Sequence, residues 1–279
     1  MKKPTNHPFV LIVVCVLLLM LTQTLCSFVA ALVCGWKLAS QGMTLSQLDD
    51  ALLLVIQEHQ SIVLLVSDVL TLAVIWLMAR RYGRTVADFT GLRHKASPAV
   101  LVLALVAGVA ISFWMTIAVN LLPWPEAWSQ AYHDSYSALT TTRPVLDFLA
   151  LVVLGPLVEE LLFRGIIYES FCALVPAGAA VVFQGLLFGG IHGTAVWMIY
   201  AAFGGCVMGY LRKHTGSVRP CVLMHMAFNG SSYLFSWFAE SFGDNGAAVL
   251  FVFLGSAFVL LLCLYGISFR SAQGENDGQ

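Results

Sequence analysis

Residues 145–168, VLDFLALVVLGPLVEELLFRGIIY, decide how this chain is read. The run is long enough to cross a bilayer, which takes about 20 mainly apolar residues. Yet it carries Glu159, Glu160 and Arg164, and ionisable side chains are costly at membrane depth, so a set of them there suggests a site. On a helix, Glu160 and Arg164 share a face four residues apart and can form an ion pair, which offsets the cost of burying the arginine. Glu159 is turned about 100° from Glu160 and points elsewhere, into a polar cavity. A lone carboxylate in a low-dielectric cavity suits general-base work near neutral pH. Pro156, just upstream, is placed to kink the helix and open that cavity. Taken alone, the string has a blander reading: two glutamates at a wetted helix end and an ordinary basic residue beside them.

Two further strings weigh against the blander reading. Phe188-Gly189-Gly190-Ile191-His192 pairs Phe188 with His192 at i, i+4 and surrounds the histidine with small residues that allow close packing or a helix break. His225-Met226-Ala227-Phe228-Asn229 sets His225 and Asn229 on one face, and a histidine with an amide one turn away can polarise a carbonyl or hold an oxyanion. Each string alone also fits a span end or an interhelical hydrogen-bonding patch. Together they supply a base, oxyanion donors and a charge-satisfying pair. The spacing is not HExxH, in which two histidines and a glutamate share one helix. A metal would need ligands from three helices, such as Glu159, His192 and His225. Zinc accepts such sets, and a glutamate with neutral histidines can equally activate water without one. Asp68 and Gln184, each inside an apolar run, either line this cavity or bond between helices.

The chain around these strings is 59% hydrophobic and 10% charged, against about 25% charged in soluble domains, and its mean hydropathy is +0.85. The net charge of −1 gives no basic surface for nucleic acid. The seven cysteines form no CxxC pair and read as small buried hydrophobes. Eight apolar segments are long enough to span: about 9–35, 60–79, 98–122, 145–168, 174–191, 194–211, 218–238 and 246–268. Residues 45–58 alternate at helical spacing and read as an interfacial helix. Residues 123–144 form a polar, aromatic-rich connector, and 273–279 a polar tail. Lys2-Lys3 followed by a run too long for a signal core reads as a retained first span. The tryptophans Trp114, Trp124, Trp128, Trp197 and Trp237 fall mostly near span ends, as interfacial anchors do.

Eight spans place eleven of the 14 basic residues on one side: Lys2, Lys3, Arg80, Arg81, Arg84, Arg93, Lys95, Arg212, Lys213, Arg219 and Arg270. The positive-inside bias then puts both termini in the cytoplasm. No organelle address is legible, so the expected setting is a prokaryotic cytoplasmic membrane. One point resists this topology. If the fifth span runs straight outward, His192 lies near its outer end, and joint action with Glu159 and His225 requires that helix to be short, tilted or broken.

The three strings, written EExxFR, FxxxH and HxxxN, resemble the CPBP family of CAAX-protease and bacteriocin-processing intramembrane proteases, also called the Abi family. The resemblance extends to Gly155-Pro156, Gly165, Gly209-Tyr210 and Thr215-Gly216-Ser217, and covers about Pro144 to Tyr233. It implies an all-α polytopic protein of about eight transmembrane helices enclosing an intramembrane catalytic cavity. Residues 1–143 would be amino-terminal helices and connectors, 144–238 the catalytic core, and 239–279 the last helix and tail. It also implies an intramembrane endopeptidase acting on membrane-associated proteins or peptides, lipidated ones among them, in CAAX-type or leader- and bacteriocin-type processing. Glu159 would activate water, His192 would position it, and His225 with Asn229 would hold the oxyanion. Glu160, Arg164 and Phe188 would support them. A divalent metal such as zinc, on Glu159, His192 and His225, and a metal-free glutamate mechanism both remain open. A non-catalytic immunity or scaffold protein of the same fold is the alternative, and a proton-coupled transporter a more distant one, since no paired repeat is legible.

Overall fold

The computed structural model describes residues 7–43, 45–139, 141–242 and 245–276, and every regular element among them is a helix. Lys2 and Lys3 lie outside the described residues. The chain opens with α1 (Pro8–Ser40), α2 (Leu45–Glu58), α3 (Gln60–Arg81), the short α4 (Val86–Phe89), α5 (Pro98–Leu121) and α6 (Glu126–Ser137). One helical run, 144–172, then joins α7 (Pro144–Phe148), a π segment (Leu149–Leu154), α8 (Gly155–Glu160), a second π segment (Leu161–Ile167) and α9 (Tyr168–Cys172). The chain ends in α10 (Ala177–Gly190), α11 (Ala195–Thr215), α12 (Arg219–Phe242) and α13 (Gly246–Asn276). Helix thus continues through part of the segment expected as a polar tail, and α6 occupies the middle of the polar connector.

Among the described residues five helices are long and apolar enough to cross a membrane: α1, α3, α5, α11 and Gly246–Ala272 of α13. The expectation of eight is therefore met only in part. The 144–172 run is divided by its π segments, and α12 carries a histidine, an asparagine and an arginine. The 14 residues of α10 rise about 21 Å, short of a hydrocarbon core of about 30 Å. Large apolar side chains of α1 (Phe9, Leu21, Phe28, Trp36) and α13 (Phe251, Leu254, Phe258, Leu261) are exposed along the helices, as a lipid-facing surface requires. The chain is an integral membrane protein.

Small residues bring the inner helices close, as they do where no hydrophobic force drives helix association. In α5, Ala104, Ala107 and Gly108 admit α12: a Cβ on Gly108 would stand 2.3 Å from the Met224 carbonyl. In α10, Gly185 and Gly189 admit α11, with a Cβ on Gly189 standing 2.3 Å from the Met198 carbonyl. At one end of the bundle the basic loop after α4 is tied to the α11–α12 turn: Arg219 Nε donates to Leu92 O at 2.8 Å and Ser217 Oγ to His94 O at 2.5 Å. At the other end Arg143 faces Glu58 at 3.8 Å.

The α5–α12 contact has no room for a side chain at residue 108. Gly108→Ala should lower stability by about 1–3 kcal/mol, read as an earlier thermal unfolding transition in detergent. Gly178→Ala, whose Cβ meets nothing within 4 Å, should leave that transition in place or raise it.

Candidate active site

Glu159 and Glu160 close α8, between the two π segments. A π turn inserts a residue into the helical ladder and is found mostly at functional sites. The two neighbours part company at once. Glu160 is fully buried, as is Arg164, whereas the Glu159 side chain is 26% exposed. Arg164 Nη1 donates to Glu160 Oε1 at 2.5 Å, and its Nη2 to the Gly205 carbonyl of α11 at 3.1 Å. The guanidinium lies 4.5 Å over the Phe188 ring.

His225 is the bridge between the glutamates. Its Nδ1 stands 2.8 Å from Glu160 Oε1 and its Nε2 3.8 Å from Glu159 Oε2. Glu160 Oε1 is the acceptor shared by Arg164 and His225, so Nδ1 carries the proton. His192 is oriented in the same way. Its Nδ1 lies 2.7 Å from the Phe188 carbonyl; a carbonyl only accepts, so Nδ1 donates and Nε2 carries the lone pair. Phe188 is the apolar hub, with its ring centroid 4.7 Å from that of His192, 5.9 Å from that of His225 and 4.9 Å from that of Phe163. Glu159 and His225 both act electrostatically on His192. The short α10 and the turn after it set His192 against the Phe188 ring that also lies near His225, so the two imidazoles share one neighbourhood.

Asn229 is held otherwise. Its Nδ2 donates to Leu151 O at 2.7 Å, a carbonyl of the first π segment. The second π segment is secured in the same manner by a residue read from sequence as a loop cation. Arg212 is 5% exposed within α11, and its Nε donates to Arg164 O at 2.9 Å while a terminal nitrogen pairs with Glu169. Hydropathy gave no signal for this role, since an arginine at the end of an apolar run looks like any positive-inside residue. Gln184 is fully buried and donates from Nε2 to the same Gly205 carbonyl at 2.8 Å, so it bonds between α10 and α11. Trp197, expected as an interfacial anchor, has its ring 6.1 Å from that of His192.

The two Nε2 atoms and the Glu159 carboxylate are the donor types of a His₂Glu zinc set, with each Nδ1 engaged as a metal-binding histidine requires. Among the described residues no three His, Cys, Asp or Glu side chains are gathered into a group that could hold an ion. The same orientation leaves both Nε2 atoms and Glu159 free to address a water.

Residues 141–231 match the family model described as type II CAAX prenyl endopeptidase Rce1-like. This is the CAAX-protease family that the three strings resemble, and the matched segment contains Glu159, Glu160, Arg164, Phe188, His192, His225 and Asn229. The match is to a family of proteases and covers that segment alone. Comparison with curated proteins and with solved structures finds no match.

Removing one partner of a buried ion pair leaves an uncompensated charge. Arg164→Leu should cost about 3–5 kcal/mol, seen as loss of the thermal transition or of folded protein in membranes. Glu160→Gln combined with Arg164→Met, which removes both charges and keeps an acceptor for His225, should recover most of that loss.

Proposed function

We propose that the protein is an intramembrane endopeptidase that hydrolyses peptide bonds of membrane-associated proteins or peptides, in CAAX-type or leader-type processing, with a water activated by Glu159. In this reading eight helices span a prokaryotic cytoplasmic membrane, with both termini in the cytoplasm. The observation that carries the reading is the contrast between adjacent glutamates. Glu160 is spent on Arg164 and His225, while Glu159 is partly exposed and faces His225 Nε2.

The chemistry follows from these positions. Glu159 accepts a proton from water as the water oxygen bonds to the substrate carbonyl carbon. The Nε2 lone pair of His192 accepts the second water hydrogen and fixes its orientation. Negative charge gathers on the former carbonyl oxygen, where preorganised donors lower the barrier. His225 supplies one from Nε2 as an imidazolium, which enters the cycle already holding that proton and keeps it throughout, with its Nδ1–H on Glu160. Asn229 supplies the other, because Nδ2 bears two hydrogens and Leu151 takes only one. The C–N bond then breaks, and the proton on Glu159 passes to the leaving amine. This reading routes no step through a metal. Glu160 and Arg164 hold the His225 ring in place, and Phe188 keeps both imidazoles edge-on.

Two measurements test this. Peptide termini in membranes and medium are compared between cells producing the wild type or Glu159→Gln at matched abundance. Termini unique to the wild type are expected, with the variant slowed by about 10²-fold or more. Identical termini in the two would move the assignment to a non-catalytic membrane scaffold or immunity protein. For the water, purified protein dialysed against a chelator should keep its rate. A rate lost to the chelator and restored by zinc would overturn the metal-free step.

A further inference from the structure

A cavity beside the site shares none of its catalytic residues. It lies between the end of α5, one face of α6 and the start of α11, and holds about 280 Å³, close to the smallest ligand pockets at about 300 Å³. Asn120, Trp124, Ser129, Tyr132, His133 and Val196 are among the residues that line it. Trp124 Nε1 donates to Val119 O at 2.8 Å and Asn120 Nδ2 to Thr116 O at 2.8 Å, which fixes both side chains against the end of α5. Ser129, Tyr132 and His133 are three and four residues apart on α6 and share one face. α6 has no fully buried residue, so a guest in the cavity adds to the little surface that this helix buries.

A line of aromatic rings joins the cavity to the site. The Tyr132 ring stands 6.1 Å from that of Trp197, edge to face, and Trp197 stands 6.1 Å from His192. Tyr200, one turn along α11 from Trp197, packs on Phe228 at 5.4 Å, and Phe228 lies 6.5 Å from His225. The first turns of α11 thus form a wall that reaches from both imidazoles to the cavity, and the mechanism above uses none of it. An extended chain advances about 3.3 Å per residue, so the two ring-to-ring steps, at most about 12 Å, correspond to three or four residues.

We propose that this cavity is the subsite for the substrate chain three to four residues before the cleaved bond, and that it takes an uncharged stretch hydrogen-bonded to Asn120, Ser129 and Tyr132. This rests on the endopeptidase reading. The occupant follows from the lining, which among the described residues includes no lysine, arginine, aspartate or glutamate. A terminal carboxylate finds no countercharge there, so the guest is an internal stretch that leads back into the body of the substrate. A charged side chain would lose hydration without gaining a partner. α5 and α6 lie outside the 141–231 segment that the family model matches, so this preference belongs to the chain's own residues.

The test uses the full chain in lipid vesicles and a farnesylated peptide ending in a CAAX box. The first readout needs no cleavage. In Glu159→Gln protein, a benzophenone on the fourth residue before the cleaved bond should cross-link within residues 119–133, and one on the twelfth should not. Cross-links elsewhere from the fourth position, or none, overturn the proposal. The second readout is turnover. Ser129→Trp and Asn120→Leu alter the cavity from α6 and from α5. Each should raise KM about tenfold, the worth of a hydrogen bond, with kcat little changed, as loss of uniform binding requires. Gln130→Trp, at the neighbouring exposed position of α6, should keep wild-type kinetics. A wild-type KM in both cavity variants also overturns the proposal. A wild type that leaves the peptide uncut, or a Glu159→Gln that cuts it equally well, removes the endopeptidase reading instead, while the cross-link still decides what the cavity holds.

Discussion

The arrangement depends on how one arginine is buried. Arg164 has no exposed surface, and in a bilayer its charge must be met at close range or the helix cannot remain there. Glu160, the Gly205 carbonyl and the Phe188 ring meet it from three sides. Each contact fixes something else in turn: Glu160 holds the His225 ring, Gly205 brings α11 against the run, and Phe188 spaces the two imidazoles. The charge that needs neutralising thereby becomes the frame that leaves Glu159 partly exposed beside His225 Nε2.

The two π segments make this frame possible and need support of their own. A π turn leaves a carbonyl outside the regular ladder, and an unpaired carbonyl in hydrocarbon costs several kcal/mol. Asn229 takes Leu151 O and Arg212 takes Arg164 O. Both donors come from other helices, α12 and α11, so the irregular run holds its shape only within the assembled bundle. Glu159 and Glu160 lie between the two tethered turns, which fix the directions in which they point.

The all-helical character and the charged pair were legible in the residues, because i, i+4 spacing and the scarcity of charge at membrane depth are local facts. Glu160–Arg164, and the placing of Phe188 beside His192, follow from such spacing. What was not legible depends on three-dimensional packing. Nothing in residues 149–167 announces a π turn. Arg212 is indistinguishable in sequence from Lys213 beside it, although one is buried and paired and the other is not a part of the site. Eight apolar segments could be counted, and among the described residues five helices meet the length and apolarity of a span; hydropathy does not register where a helix is irregular or stops early. For Asn229, the spacing indicated a shared face with His225; that its amide would reach back to Leu151 required the fold.

The brevity of α10 has a consequence for the surrounding bilayer. Val182, Phe183 and Leu186 of this helix face outward, yet the helix falls about 9 Å short of the usual hydrocarbon thickness. Lipids adjust to such mismatch by thinning locally and by drawing polar headgroups inward. The rim beside α10 is thus a place where the hydrocarbon barrier is at its lowest, next to His192.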